Sequence, residues 1–169
     1  MEVQQDFKEL LKLFNAHKVE YVIVGGYALA FHGSPRYTGD IDILVKPDEE
    51  NAQRVLEALE KFGFGSVGIE KSDFMYQNNV VQLGVPPVRI DIITSISGVS
   101  LDEAFAGTLE GKYGDIPVLY IGRDQFIRNK RAIGRLKDLS DLEALGEEWE
   151  NEAMLNEIKN DNHLTPQLL

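Results

Sequence analysis

Two aspartates, Asp40 and Asp42, stand one residue apart at the start of the apolar run DIDILV, and Asp91 stands in a second apolar run, VRIDIITS. Because side chains alternate along a strand, Asp40 and Asp42 face the same way, with Cα atoms about 7 Å apart. If the strand of Asp91 lies beside theirs, three carboxylates converge. They repel one another unless a cation lies between them, and Mg²⁺ prefers such oxygens. The pattern predicts a divalent metal site, with solvent-facing strand residues as the alternative.

A pair of glycines precedes these aspartates. Gly25 and Gly26 end the apolar run VEYVIV, which predicts a buried strand that turns sharply into a short helix. Such a turn directs backbone N–H groups and a helix N-terminus toward the space above the strand, and this geometry suits phosphate. The alternative is that the glycines only supply the positive φ of a tight turn.

Basic side chains are concentrated in residues 123–137, although the whole chain carries a net charge of −11. This basic island contains six basic residues and one acid. The overall charge argues against broad attraction to nucleic acid, whose affinity comes largely from neutralised phosphates. The island nevertheless suggests a local anionic ligand. Alternatively, its residues form a solvated helix face or pair with nearby acids, which are Asp138, Asp141 and Glu143.

The elements that would position these residues predict an α+β fold, with a small mixed β-sheet flanked by helices and a helical C-terminal part. Apolar residues at helical spacing predict a helix over residues 4–17, and Asp48 is expected to cap a second helix that ends at Gly63. The other predicted helices are at 101–106 and from Arg123 onward. The predicted strands are at 19–24, 41–45, 80–83 and 88–93, with one edge strand within 108–121.

Composition predicts one soluble globular domain. A chain of 169 residues with 43% hydrophobic and 27% charged residues can bury a core without metals or disulfides. Cysteine is absent, which excludes disulfides and thiolate metal sites. No run is long enough to span a membrane, so we expect a cytoplasmic protein without a membrane partner. The expected parts are a catalytic core at 1–122, a helical extension packed on it at 123–160, and a flexible tail at 161–169.

The ordered set of motifs resembles the nucleotidyltransferase superfamily, which includes DNA polymerase beta, the minimal nucleotidyltransferases and the antibiotic nucleotidyltransferases. The shared pattern is an apolar strand, Gly-Gly, thirteen residues, the run DIDI, and a later strand with an aspartate. The version SPRYTGDIDILV is most similar to the nucleotidyltransferase toxins of abortive-infection, or type IV toxin–antitoxin, systems. The segment NKRAIGRLKDLSDLEAL adds a Lys, then Arg-x-Lys-Asp and a further Asp. The resemblance covers roughly residues 18–145.

The resemblance implies a nucleotidyltransferase fold and a catalytic role for each aspartate. Asp40 and Asp42 would bind Mg²⁺, as two ions that Mn²⁺ can replace. Asp91 would complete the metal site and help to deprotonate the acceptor hydroxyl. Two such ions, about 3.5 to 4 Å apart, would stabilise the attacking and departing oxygens of an in-line displacement.

The resemblance also implies contacts with an NTP, with ATP or GTP expected. Gly25 and Gly26 would hold the triphosphate and Lys130 would contact phosphate. Arg36 could clamp a phosphate or pair with a carboxylate, and Ser34 could bind nucleotide or serve only as a turn residue. At least one of the basic candidates in the C-terminal segment is expected to touch the triphosphate or the acceptor. The complete set of nucleotide-binding candidates is Gly25, Gly26, Ser34, Arg36, Thr38, Lys130, Arg135 and Lys137.

The predicted activity is the transfer of an NMP from an NTP to a hydroxyl of an acceptor. The basic island favours tRNA or another RNA over a small molecule or a protein, and the resemblance implies the toxin of a pair with an antitoxin protein as its partner. Two other classes are open: a catalytically silent nucleotide-binding or toxin–antitoxin regulatory protein, and a sheet protein without a ligand. The complete triad favours the enzyme, because a silent protein has no need to keep three repelling acids together.

Overall fold

A computed structural model describes residues 2–147, which form a six-stranded sheet and six α-helices. The strands are β1 (Tyr21–Val24), β2 (Asp40–Val45), β3 (Val80–Leu83), β4 (Arg89–Ile93), β5 (Leu109–Tyr113) and β6 (Ile116–Tyr120). The helices are α1 (Gln5–Ala16), α2 (Gly25–Phe31), α3 (Glu49–Leu59), α4 (Leu101–Ala106), α5 (Arg123–Ile133) and α6 (Leu136–Ala144).

The sheet is mixed and has the strand order β3-β4-β2-β1-β6-β5. Strand β2 runs parallel to β4 and antiparallel to β1, while β6 runs parallel to β1. The two outer pairs, β3-β4 and β5-β6, are antiparallel. All four residues of β1 are buried, because this β-branched and aromatic strand lies between β2 and β6. The predicted α+β fold with a mixed sheet is confirmed.

The predicted amphipathic helices are also confirmed. Helix α1 buries four apolar residues at helical spacing, namely Phe7, Leu10, Leu11 and Phe14. Asp48 caps α3, where its side-chain Oδ1 accepts a hydrogen bond of 2.7 Å from the Asn51 N–H. The π-helical turn Glu60–Phe64 follows α3, so the regular helix ends four residues before the predicted stop at Gly63.

The predicted edge strand within residues 108–121 is confirmed, and the segment also contains a second strand. This segment forms a hairpin in which β5 is the edge strand and β6 is internal, since β6 also pairs with β1. The turn contains Gly114 in the left-handed region, at φ +59°. Along β6 buried and exposed residues alternate, as expected for a strand with one face on the core.

The helical segment after β6 begins as predicted. Phe126 of α5 is buried and belongs to the same apolar cluster as Phe7 of α1. The predicted extension at 123–160 is helical in α5 and α6, and its residues beyond 147 lie outside the described residues, as does the predicted tail at 161–169. Within residues 2–147, no helix has the length and apolar character needed to cross a membrane.

Candidate active site

The three aspartates of the sequence motif meet at one face of the sheet. The parallel pairing of β2 with β4 places Asp42 beside Asp91 and Asp40 beside Arg89. Asp40, Asp42 and Asp91 therefore project from the same face, and one carboxylate oxygen of each lies within 4.8 Å of the other two. The predicted convergence of the carboxylates is confirmed. These residues are called the acid triad below.

Gly25 lies directly beside the acid triad, because Val24 at the end of β1 pairs with Asp42. Its φ is +67°, and a Cβ atom at this position would overlap the Asp42 carboxylate, so both the backbone and the packing require glycine. Gly26 also packs closely, since a Cβ there would lie 3.0 Å from the Thr38 Cβ. Helix α2 begins at Gly25, and Val24 at its N-cap position provides no side-chain acceptor for the first-turn N–H groups.

The acid triad concentrates negative charge in a partly buried place. Burial, followed by the charges of Asp40 and Asp91, raises the pKa of Asp42 to about 7. Burial also raises the pKa of Asp91, although its hydrogen bonds from Arg89 act in the opposite direction. A divalent cation would relieve this repulsion, and a donor set of carboxylate oxygens suits Mg²⁺ or Mn²⁺. The residues present thus fit the kind of metal that the sequence predicts.

Arg89 and Thr38 supply hydrogen bonds to the acid triad. The Arg89 Nη2 lies 2.5 Å from the Asp40 Oδ2, and its Nε and Nη2 each lie 3.0 Å from an oxygen of Asp91. The Thr38 Oγ1 donates to the other oxygen of Asp40 at 2.8 Å. Arg89 is not among the residues predicted from the sequence. The signal was present, however, because Arg89 precedes Asp91 by two residues and so shares its face of β4.

Lys130 lies in a buried network of charges that connects the loop after α2 with α5 and α6. Its Nζ is 3.1 Å from the Asp138 Oδ1 and 3.0 Å from the Asp141 Oδ2. The guanidinium of Arg36 donates two hydrogen bonds to Asp141, at 2.7 and 2.9 Å. The Arg135 Nε donates to Asp138 at 2.7 Å. Lys130, Arg36 and Arg135 therefore pair with acids in this structure. This pairing is the alternative that the sequence left open for Arg36 and for the basic island. The contacts of these residues with phosphate stay predictions.

The remaining candidates lie near the acid triad or in the loop that leads to it. Lys137 is exposed in the first turn of α6, and its positive charge, like that of Lys130, acts to lower the pKa of Asp42. Ser34 follows α2, where its N–H donates to the Leu29 carbonyl at 3.1 Å. The loop and α6 thus bring polar side chains toward the triad from two directions, and their roles in nucleotide binding stay predictions.

Solved structures with this fold include nucleotidyltransferases. The antibiotic-resistance factor ANT(2″)-Ia, in a solution structure, has a TM-score of 0.56 at 11% identity, covering 95% of this chain and 96% of that chain. The lincosamide antibiotic adenylyltransferase LnuA, with lincomycin bound, has a TM-score of 0.53 at 17% identity, covering 86% and 98%. The Thermotoga maritima protein TM1012 has a TM-score of 0.51 at 15% identity, covering 89% and 91%. At such identities the likeness establishes the nucleotidyltransferase fold.

The sequence also matches the family described as nucleotidyl transferase AbiEii toxin, type IV toxin–antitoxin system, over residues 10–161. This match spans most of the chain, so the protein belongs to the AbiEii family and is a nucleotidyltransferase. The resemblance inferred from the glycine pair and the aspartates is confirmed. Among curated proteins the chain has no significant match.

Proposed function

We propose that this protein uses Mg²⁺ to transfer an NMP from ATP or GTP to a hydroxyl of an RNA, with tRNA the favoured acceptor, and that it acts in the cytoplasm as the toxin of a toxin–antitoxin pair. The observation that carries the proposal is the convergence of Asp40, Asp42 and Asp91 beside Gly25. A nucleotidyltransferase needs metal-binding carboxylates and a phosphate-binding turn together, and these residues bring both to one end of β1 and β2.

In the proposed reaction the acceptor oxygen bonds to the α-phosphorus of the NTP while the bond from that phosphorus to the pyrophosphate oxygen breaks. Asp40, Asp42 and Asp91 would hold two Mg²⁺ ions, or Mn²⁺ in their place, which would stabilise the attacking and departing oxygens. Asp91 would also accept the proton of the acceptor hydroxyl. Its pKa is raised by burial, which moves a carboxylate toward the range suited to a general base at neutral pH.

The triphosphate would bind at the start of α2. The uncapped N–H groups at Gly25 and Gly26 are suitable donors, since the N-cap residue offers no competing side chain. Lys137, which is exposed, could contact a phosphate without first losing an acidic partner among the described residues. Arg135 has an exposed side chain although it pairs with Asp138, so it could serve phosphate and carboxylate together.

The proposed roles of the other candidates depend on rearranged contacts. Thr38 would orient Asp40 through the hydrogen bond at 2.8 Å, and Ser34 would line the loop above the triphosphate. Arg36 would reach phosphate only after leaving Asp141, and Lys130 only after leaving both Asp138 and Asp141. In the protein without nucleotide, their pairing would instead hold α6 close to the acid triad.

The acceptor is proposed from the charge distribution. A basic island in an acidic chain would bind a few phosphates at one place, which suits an RNA end better than a long duplex. Two solved structures of the same fold, LnuA with lincomycin and ANT(2″)-Ia with adenylyl-2″-tobramycin, show antibiotics as ligands of those proteins. A small-molecule hydroxyl is therefore the second candidate acceptor for this chain.

The test is transfer of label from each α-³²P-labelled NTP, with Mg²⁺, to total tRNA and, in separate reactions, to lincosamide and aminoglycoside antibiotics. We expect labelled tRNA with the wild type and none with Asp42→Asn. The matched control is Asp115→Asn, which removes one exposed carboxylate paired with Lys8 and should leave transfer unchanged. Failure to label any acceptor, together with failure to bind any NTP in calorimetry, would contradict the proposal.

The toxin role has a separate test. Induced expression of the wild type in growing bacteria should slow growth, whereas Asp42→Asn at equal protein level should not. Co-expression of an antitoxin partner should restore growth. If Asp42→Asn slowed growth as strongly as the wild type, toxicity would not come from the proposed transfer reaction.

A further inference from the structure

Arg89 places a positive charge beside the acid triad, whose carboxylates repel one another without a cation. Its guanidinium reaches the two outer members of the acid triad, with donors 2.5 Å from Asp40 and 3.0 Å from each oxygen of Asp91. The carboxylates of Asp40 and Asp91 have only 19% and 9% of their side-chain surface exposed. The guanidinium thus donates hydrogen bonds to both carboxylates, which are two of the three members of the proposed metal site.

Two properties of Arg89 distinguish it from a purely structural partner. Its side chain is 32% exposed, so it can move toward solvent without opening the core. An arginine remains protonated at any physiological pH, so it leaves the triad by moving and not by losing its charge. By contrast with Arg89, Lys130 has only 5% of its side chain exposed to solvent.

We propose that Arg89 is a positioning residue that acts as an internal substitute for the metal. It neutralises Asp40 and Asp91 in the metal-free protein and must leave them when a divalent ion binds. The inference rests on the proposed function, because it takes the acid triad as the metal site. Arg89 therefore stabilises the metal-free protein and at the same time weakens its affinity for free metal ions, since a like charge disfavours the arriving cation.

Competition between Arg89 and the metal for the same carboxylates couples the binding of metal to the binding of nucleotide. Once displaced, the guanidinium requires a new anionic partner, and a triphosphate at the neighbouring glycine turn brings phosphate oxygens that arginine binds well. Nucleotide should then increase the affinity for metal more in the wild type than in a protein without Arg89. By linkage, metal should increase the affinity for nucleotide by the same factor.

The first experiment measures Mn²⁺ binding without nucleotide, by the EPR signal of free Mn²⁺, for the wild type, Arg89→Gln and Arg89→Lys. We expect Arg89→Gln to bind Mn²⁺ about tenfold more tightly than the wild type, because one competing charge is removed. Arg89→Lys keeps the charge but loses the forked geometry, so its affinity should lie between the two. Arg54→Gln, which removes an arginine paired with Glu50 on the surface of α3, should bind as the wild type does.

The second experiment measures thermal unfolding in EDTA. Arg89→Gln should unfold at a lower temperature than the wild type, and saturating Mn²⁺ should remove the difference. If Arg89 were only a structural brace, Arg89→Gln would lower both the unfolding temperature and the affinity for Mn²⁺. That result, or equal Mn²⁺ affinity in the two proteins, would overturn the inference.

The outcomes also separate this inference from the proposed function. Nucleotidyl transfer by the wild type together with unchanged Mn²⁺ affinity in Arg89→Gln would remove the role of Arg89 and leave the enzyme intact. Mn²⁺ binding to neither protein would overturn both, because removing the competitor should reveal the site. Tighter binding by Arg89→Gln without any transfer would support the role of Arg89 and contradict the reaction.

Discussion

At the scale of single residues, Asp42 carries the highest electrostatic cost in the site. Its folded-state pKa of about 7 lies above the ordinary value of 3.8. Ionisation of Asp42 therefore lowers the stability of the metal-free protein as the pH rises from 3.8 to 7, and the full penalty is present above pH 7. Asp42→Asn removes this penalty. In EDTA at pH 8 we expect it to raise the unfolding temperature by about 3 °C or more.

The same substitution should strongly impair catalysis, because a neutral amide is a weaker ligand for a divalent cation than a carboxylate. We expect transfer to fall by about 10³-fold or more. Calorimetric melting at pH 5 and pH 8 and the labelled-NTP assay check the two effects. The gain in stability should be smaller at pH 5 than at pH 8. Equal gains at the two pH values would show that the charge of Asp42 is not the cause.

Gly25 is required for two reasons that a matched pair of substitutions can separate. Gly25→Ala places a Cβ atom into the Asp42 carboxylate at a residue with φ +67°. Gly68→Ala introduces the same strain, at φ +77°, where the Cβ atom meets nothing within 4 Å. We expect Gly68→Ala to cost about 1 to 2 kcal/mol in urea unfolding and to keep full activity. Gly25→Ala should cost more and also lose transfer; equal effects would mean that packing against Asp42 is unimportant.

At the scale of secondary-structure elements, the charges of Lys130, Asp138, Asp141 and Arg36 connect α5 and α6 to the loop before β2. Burial alone would raise the pKa of Asp141, but hydrogen bonds from Arg36 and Lys130 outweigh burial and lower it. The stability that this carboxylate provides is therefore present above its unfolded pKa near 4 and is lost as the pH falls through its lower folded value.

Asp141→Asn tests this connection. It should reduce the free energy of unfolding by about 3 kcal/mol at pH 7, because Arg36 loses its carboxylate partner and the buried Lys130 keeps only Asp138. The difference from the wild type should shrink below about pH 4, where Asp141 becomes protonated in the unfolded wild type, and should disappear as the pH falls through its lower folded pKa. Asp115→Asn is the control, since its carboxylate pairs with Lys8 but is 76% exposed, and it should have little effect. A deficit that persisted at low pH would mean that packing, and not charge, accounts for the loss.

Local sequence patterns predicted the helices and strands well where the signal lies within a single strand or helix. The alternation around Asp40, Asp42 and Asp91 revealed their common face, and Asp48 was recognisable as a helix cap. The strand order was not predictable, because it depends on pairing between distant segments. For this reason the internal strand β6 was not predicted, and Arg89 was missed although it is the neighbour of Asp40 across the sheet.

At the scale of the whole molecule, the charge is unevenly distributed, and this sets how RNA could bind. With a net charge of −11, attraction should come only from the basic island, so the logarithm of the RNA affinity should fall with the logarithm of salt at a slope of about −2 to −4. Lys137→Ala should reduce the magnitude of this slope by about 0.7, the value for one phosphate of a single strand. Filter binding of tRNA between low and physiological salt provides the measurement.

The control for that experiment is Lys46→Ala. Lys46 follows β2 at the end of the strand opposite Asp40 and pairs loosely with Glu20 at 3.7 Å. Its removal changes the net charge by the same amount as Lys137→Ala but away from the acid triad, so the slope should stay as in the wild type. A flat salt dependence in the wild type would favour a small-molecule acceptor.

The pairing of Asp42 with Asp91 across β2 and β4 has a consequence for how the protein is made. A ribosome must synthesise through residue 93 before the second of these strands exists, and through residue 144 before the helix carrying Asp141 is complete. A nascent chain that contains only the glycine turn and the first two aspartates therefore has no assembled metal site. If the enzyme is harmful to its host, this order of assembly keeps each copy inert at least until the ribosome has passed residue 93.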